Sequence, residues 1–248
     1  MSAGSLATDL RELLLPRGCL ACGERIPPED EPGLICSGCR SRLRVPPPPC
    51  CPRCQLPFGS GHGPGEACLE CADWRETLKT ARSAVVLDTV AGAMVHALKY
   101  RGWGELAEDM ARRMAREIPP NLSHPVIVPV PTTPWRRRTR GYNQASLLAT
   151  AVSSITAVPS LEALRRERGR TQVRLGPRER RSNVDGAFDL RGETRSLIRG
   201  RDVIVVDDVL TTGATANAVT LALESAEVAS VRLITFARSL PFAEEGRG

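Results

Sequence analysis

Apolar residues recur along this chain with two different periods. Residues 84–87, 126–130, 203–206 and 231–236 are short runs rich in valine, isoleucine and leucine, and they read as buried strands. Between them the spacing becomes helical: Val90, Met94, Ala97 and Leu98 fall on one face, as do Leu106, Met110 and Met114. Residues 144–154 and 217–224 supply two further helices. Strands alternating with helices predict an α/β domain over 80–240, with a parallel sheet flanked by helices and ligands at the strand C-terminal ends. An amphipathic helix is expected over 1–15 and a disordered tail over 241–248. Leu10 and Leu13 to Leu15 form the only early apolar cluster, broken by Arg11, Glu12 and Pro16, which is too short for a secretory signal. No stretch reaches the roughly 20 apolar residues of a membrane span, so no membrane insertion is expected and the chain is predicted to be cytoplasmic.

The apolar pattern fails before residue 80, where cysteine takes over. All nine cysteines lie between Cys19 and Cys71, in a segment too small to fold securely on a core of its own. They form Cys19-x2-Cys22, thirteen residues, Cys36-x2-Cys39, and again Cys51-x2-Cys54, thirteen residues, Cys68-x2-Cys71. Each member of the second set follows its counterpart by 32 positions, so residues 16–75 read as two copies of one unit. Disulfides are rare in the cytosol, and four thiolates at this spacing suit tetrahedral zinc. With no open coordination position, both zinc ribbons are predicted to be structural; a rubredoxin-like iron site is the chemical rival. Cys50 breaks the repeat and reads as a bystander thiol, with the register against Cys51 left open. His62, in the second loop, reads as a loop histidine.

The net charge of +6 comes almost wholly from arginine, since Lys79 and Lys99 are the only lysines. Arginine presents the planar donor fork that suits phosphate and carboxylate. Two clusters, 136–140 and 165–181, could follow a nucleic-acid backbone, with Trp135 and Tyr142 for stacking. Aromatic residues make up only 4% of the chain, too few for an extended stacking platform, so single-stranded DNA ranks second as a partner.

The densest chemistry follows the third strand: Asp207, Asp208, Val209, Leu210, Thr211, Thr212, Gly213, Ala214, Thr215. Two acids end a buried strand, and hydroxyls with backbone amides open the next helix. Adjacent carboxylates accept hydrogen bonds from a sugar diol, and a helix N-terminus of small residues offers N–H groups to a phosphate. An acidic strand of nucleotidase type requires a loop ending in Gly-Lys, which neither lysine supplies.

This run resembles the ribose-phosphate loop of the type I phosphoribosyltransferases. Ile-Val-Pro-Val-Pro at 127–131, Arg136 to Arg138, the segment 140–144, Leu98-Lys99-Tyr100-Arg101-Gly102, Arg170-Thr171-Gln172 and Arg180-x2-Asn183-Val184-x-Gly186-Ala187-Phe188 resemble the ComF family. With the cysteine module included, the resemblance spans nearly the whole chain and implies a type I phosphoribosyltransferase-like fold behind tandem zinc ribbons. It implies that 5-phosphoribosyl 1-pyrophosphate (PRPP) is the ligand, bound with Mg2+, and that a nitrogen nucleophile displaces pyrophosphate at the anomeric carbon. Carried over, Asp207 and Asp208 hold the ribose hydroxyls, and Thr211, Thr212, Gly213, Ala214 and Thr215 cradle the 5-phosphate. Val130 and Pro131 stand at the pyrophosphate loop, with Arg140 as a nearby cation. Arg170, Arg178 and Arg180 lie in a segment suited to a mobile flap. The purine-salvage branch carries an aspartate base where this chain has Thr211, which speaks against 6-oxopurine salvage and leaves room for a protein that binds the sugar phosphate without turning it over. The ComF family is associated with DNA uptake in natural competence, implying the uptake machinery as a partner. Monomer and oligomer are both compatible with the sequence.

Overall fold

The computed structural model describes residues 17–27, 30, 33–58, 63, 64, 66, 68–166 and 187–240. The expected helix 1–15, the tail 241–248, His62, and Arg170, Arg178 and Arg180 lie outside the described residues.

A short helix α1 (Ser37–Arg42) belongs to the cysteine module, and β1 (Leu78–Val86) leads out of it. Then come α2 (Thr89–Tyr100), α3 (Leu106–Met114), β2 (Val126–Pro129), α4 (Pro134–Arg140) and α5 (Gln144–Thr156). A small antiparallel pair, β3 (Leu164–Arg166) and β4 (Phe188–Leu190), stands apart from the main sheet. After α6 (Arg195–Ile198), the chain closes with β5 (Asp202–Leu210), α7 (Ala214–Glu224) and β6 (Ser230–Arg238). The main sheet runs β1-β6-β5-β2, and every pairing is parallel.

Both faces of this sheet are covered, as a parallel sheet requires. In β5, Ile204 and Val206 join one core with Ile234, Phe236 and the apolar stripes of α2, α3 and α5. Val203 and Val205, on the opposite face, join a second core with Leu233, Phe188 and α7. Leu106, Met110 and Met114 are fully buried, as their spacing predicts.

The cysteine module divides between these cores. Cys19, Ile26, Ile35, Cys39 and Leu43 of the first ribbon pack into the α2–α3–α5 core. Cys51, Cys54, Leu56, Cys68, Cys71 and Trp74 of the second pack into the α7 core. The ribbons also cover the outer edge of β1, where unpaired strand N–H groups would otherwise be exposed. Ala81 N donates to Arg53 O at 2.8 Å, Val86 N to Arg44 O at 2.7 Å, and Ser83 N to Gln55 Oε1 at 2.6 Å.

Of the elements that differ from their expected extents, three bear on the site. The first strand begins at Leu78 rather than residue 84, because β6 and the ribbon edge pair with its polar half. Helix α7 begins at Ala214 rather than 217, since Gly213 in the left-handed region ends the loop directly. Strand β5 does not end at Val206: its ladder with β6 continues to Leu210 opposite Arg238. The ladder with β2 stops at Val206 opposite Pro129, so the two acids emerge from the sheet on the β2 side only.

Candidate functional site

Each four-cysteine set converges. Cys19, Cys22, Cys36 and Cys39 form one cluster and Cys51, Cys54, Cys68 and Cys71 another, with all sulfurs of a set within 4.8 Å of one another. Four sulfurs at a Zn–S distance of about 2.3 Å stand about 3.8 Å apart along a tetrahedral edge. Cys22 to Cys36 measures 3.9 Å, Cys51 to Cys71 3.8 Å and Cys54 to Cys68 3.6 Å, which fits that ion. Burial pushes the thiols of Cys39 and Cys71 up to about 12 and raises Cys54 further, so a cation is what lets four thiolates share such a space. At Cys19 burial pulls the same way, but the N–H groups of Cys36, Cys22 and Ala21 outweigh it and bring the thiol down to about 6. The cluster takes Cys51 and leaves Cys50 aside, its backbone bridged to Pro57.

The acids sit where β5 leaves the sheet. Strand alternation sends successive side chains to opposite faces. Asp208 turns toward α2, where Lys99 Nζ meets its Oδ1 at 2.8 Å. It is only 3% exposed, and its Oδ2 has no hydrogen-bond partner among the described residues. Asp207 turns to the other face and, among the described residues, accepts the N–H of Asp208 at 2.9 Å. Burial, reinforced by the neighbouring Asp208 charge, raises its carboxyl to about 7 against the pull of Lys99 and Arg166. Two crowded carboxylates with an unpartnered oxygen suit hydroxyl donors or a hard cation.

Beyond Leu210 the loop turns through Thr211, Thr212 and Gly213 into α7. Gly213 has φ +78, a conformation glycine adopts without strain. Gly213 at the N-cap has no side chain to cap the helix; the N–H of Ala214 donates to Thr212 Oγ1 at 3.4 Å, which leaves the other N–H groups of the first turn without a side-chain cap bond from that position. A Cβ at Gly213 would stand 2.2 Å from Trp74 Cζ2, so the second ribbon rests directly on this loop. Arg238, fully buried at the end of β6, donates to Thr211 O at 2.8 Å, and Glu70 lies 3.5 Å from its Nη2.

Val130 and Pro131 follow β2 on the open flank: Val130 N donates to Val206 O at 2.9 Å, and Asn143 Nδ2 donates to Val130 O at 3.0 Å. Arg140 lies at the C-terminal end of α4, its guanidinium 4.6 Å over the Tyr100 ring and 3.1 Å from Gln144 Oε1. The structure therefore gathers the acids, the loop and the Val130 turn around one strand end, while Arg140 is held by Tyr100, the residue after Lys99, and by Gln144.

Read from sequence, Lys99 and Asn143 receive no role of their own, although both lie in segments that resemble the ComF family, and Arg238 is passed over. Lys99 carried a further signal, being one of two lysines in an arginine-rich chain. Arg238 carried none, because an arginine closing an apolar strand looks like a strand boundary. The arginines at 136–138 are exposed on α4, which begins at Pro134 after the Thr133 cap, beside the exposed ring of Trp135.

Residues 10–72 match the double zinc ribbon domain and residues 105–241 the phosphoribosyl transferase domain. The chain is 32% identical over 217 residues to the DNA utilization protein YhgH of Escherichia coli O157:H7, covering 83% of this chain and 91% of the relative. It is 30% identical over 216 residues to the competence protein ComFC of Bacillus subtilis, covering 83% and 84% respectively. Competence protein F of Haemophilus influenzae is 36% identical over 115 residues, 46% of this chain and 50% of the relative. The two cysteine clusters are thus zinc-binding sites of a double ribbon.

Proposed function

This chain belongs to the ComF family, a double zinc ribbon joined to a phosphoribosyl transferase domain, and from that premise we propose that its β5 cleft binds PRPP with Mg2+ and transfers the phosphoribosyl group to an acceptor. The observation that carries this reading is the adjacent pair of half-buried Asp207 and buried Asp208 immediately ahead of a helix whose N-cap, Gly213, lies in the left-handed region and offers no side chain. Under it, Asp207 and Asp208 accept hydrogen bonds from the ribose hydroxyls across the end of β5. The N–H groups of 213–215 and the hydroxyls of Thr211, Thr212 and Thr215 receive the 5-phosphate. The turn at Val130 and Pro131 and the cations of Lys99 and Arg140 would receive the pyrophosphate, whose negative charge bound Mg2+ would help to neutralise. The anomeric C–O bond to pyrophosphate breaks as the acceptor's lone pair forms the new bond, and the fixed cations stabilise the departing charge. With Thr211 in place of an acid, the acceptor must arrive with its proton already labile or lose it to water.

Lys99 prepares the site in its ligand-free form by pairing with Asp208, which otherwise is an uncompensated buried charge. Calorimetric titration with PRPP and Mg2+ tests the reading: saturable binding is expected, and Asp208→Asn is expected to abolish Mg2+-dependent pyrophosphate release when the acceptor is supplied. Equal release by both proteins would refute it.

A second reading has its own support. Exposed Trp135 and Arg136 to Arg138 on α4 form a basic, aromatic-tipped surface, and the relatives carry names tied to competence and DNA utilization. Under this reading the protein senses PRPP and binds single-stranded DNA as an accessory to DNA uptake. Its binding must weaken steeply with salt; affinity that does not change between low and high salt rules it out.

A further inference from the structure

The second zinc ribbon reaches the β5–α7 loop twice. Trp74, three residues after Cys71, lays its indole against Gly213 so closely that a Cβ there would be 2.2 Å from Cζ2 and 2.5 Å from Cε2. Glu70, between Cys68 and Cys71, faces Arg238, whose Nη1 in turn donates to Thr211 O at 2.8 Å. Arg53, between Cys51 and Cys54, braces the segment that carries Trp74. Its guanidinium donates to Cys71 O at 2.8 Å, Trp74 O at 3.0 Å, Arg75 O at 2.7 Å and Leu78 O at 3.1 Å, and sits 5.8 Å from the centre of the Trp74 ring. A planar donor fork that spans four carbonyls fixes the path from the metal site to the tryptophan. Arg75 then ties the same segment to α7: its N–H donates to Asn217 Oδ1 at 2.8 Å, and its Nε meets Glu224 Oε2 at 2.5 Å.

The first ribbon makes no such contact among the described residues, since it packs into the core on the other face of the sheet. A ribbon that served only as a staple would have no need to place a buried tryptophan on the one left-handed glycine of the loop. We propose that Trp74 and Glu70 are positioning residues of the sugar-phosphate site: they hold Gly213 and Thr211 so that the N–H groups opening α7 converge on an anionic phosphate ester. The site is then composite, built by the second ribbon and β5 together, and its affinity depends on the integrity of the cluster at Cys51, Cys54, Cys68 and Cys71. This inference rests on the ribose-phosphate reading only for the identity of the ligand; the ordering of the loop stands without it.

The test uses the zinc-loaded full chain. Amide hydrogen exchange over 211–215 is measured without ligand in Trp74→Ala, Glu70→Gln, Trp74→Phe and Leu69→Ala, the last changing an exposed neighbour of Glu70. Trp74→Ala and Glu70→Gln are expected to speed exchange in the loop about tenfold while the amides of β5 and β6 stay protected. Trp74→Phe and Leu69→Ala are expected to match the wild type. Titration with PRPP and Mg2+ on the same proteins is expected to show weaker binding for the first two and recovery in Trp74→Phe. If Trp74→Ala loses protection throughout the sheet, Glu70→Gln decides. Loop exchange at the wild-type rate in Glu70→Gln and in any folded Trp74→Ala overturns the proposal even where PRPP binds; absence of PRPP binding by the wild type, with the loop loosened in the variants, overturns the ligand reading and leaves the positioning role intact.

Discussion

Asp207 ties the local chemistry to a measurable pH dependence. The folded carboxyl holds its proton up to about pH 7 because burial and the charge of Asp208 oppose ionisation, whereas in the unfolded chain an aspartate ionises near about 3.9. Between those values the native state binds more protons than the unfolded state, so Asp207 stabilises the ligand-free fold at low pH and that contribution is lost as pH rises through about 7. The contribution to the slope is at most about 1.4 kcal/mol per pH unit. Urea unfolding of wild type and Asp207→Asn at pH 5 and pH 7.5 should show the stability difference between the two proteins changing with pH; an unchanged difference means that Asp207 ionises normally. Gly213 permits a second check at this scale. Gly213→Ala meets both a left-handed backbone and the indole of Trp74, and is expected to cost at least about 1 to 3 kcal/mol in the same unfolding experiment. A loss below about 0.5 kcal/mol would mean that Trp74 gives way without resistance.

Secondary structure was legible wherever burial imposed a period. The valine runs at 126–130 and 203–206 and the methionine stripe of α3 are strands and a helix, because both faces of the sheet are dry and each helix has one dry side. What escaped was set by partners distant in sequence. The extension of β5 past Val206 depends on β6, and Lys99 reaches Asp208 across more than a hundred positions, a pairing no local pattern encodes. Strands β3 and β4 contain three residues each and lack any alternation long enough to read. The eight ligating cysteines were legible because their chemistry is local: spacing alone brings four thiolates together, and the reading of the two adjacent acids and the loop after them rests on the same kind of local signal. At the level of elements the ribbons make a further prediction. Their cysteines pack into the two main cores rather than beside them, so stripping zinc with a chelator is expected to lower the melting temperature of the α/β domain as well as that of the ribbons. Calorimetry showing the α/β transition unmoved after chelation would mean that the ribbons are appended without energetic coupling.

As a whole, the molecule is a parallel sheet clasped by two metal-stapled ribbons. They shield the β1 edge, and Trp74 of the second rests on Gly213 of the β5–α7 loop. No helix among the described residues is long and apolar enough to cross a membrane. At the sheet's C-terminal edge Asp207 and Asp208 are countered by Lys99 and Arg166, and the arginines of α4 are exposed after β2. Such a field favours an anionic ligand that also carries a vicinal diol for the two carboxylates, which a phosphorylated sugar does and inorganic phosphate does not. The most direct measurement is calorimetric titration of the zinc-loaded protein with PRPP in the presence and absence of Mg2+, repeated with Asp208→Asn and with inorganic phosphate as the competing anion. Saturable, Mg2+-dependent binding of PRPP, weakened about 10- to 100-fold by Asp208→Asn and little affected by phosphate, is the expected result. Binding that survives Asp208→Asn undiminished, or no heat from PRPP at millimolar concentration, would contradict the assignment of the β5 cleft to an activated ribose phosphate.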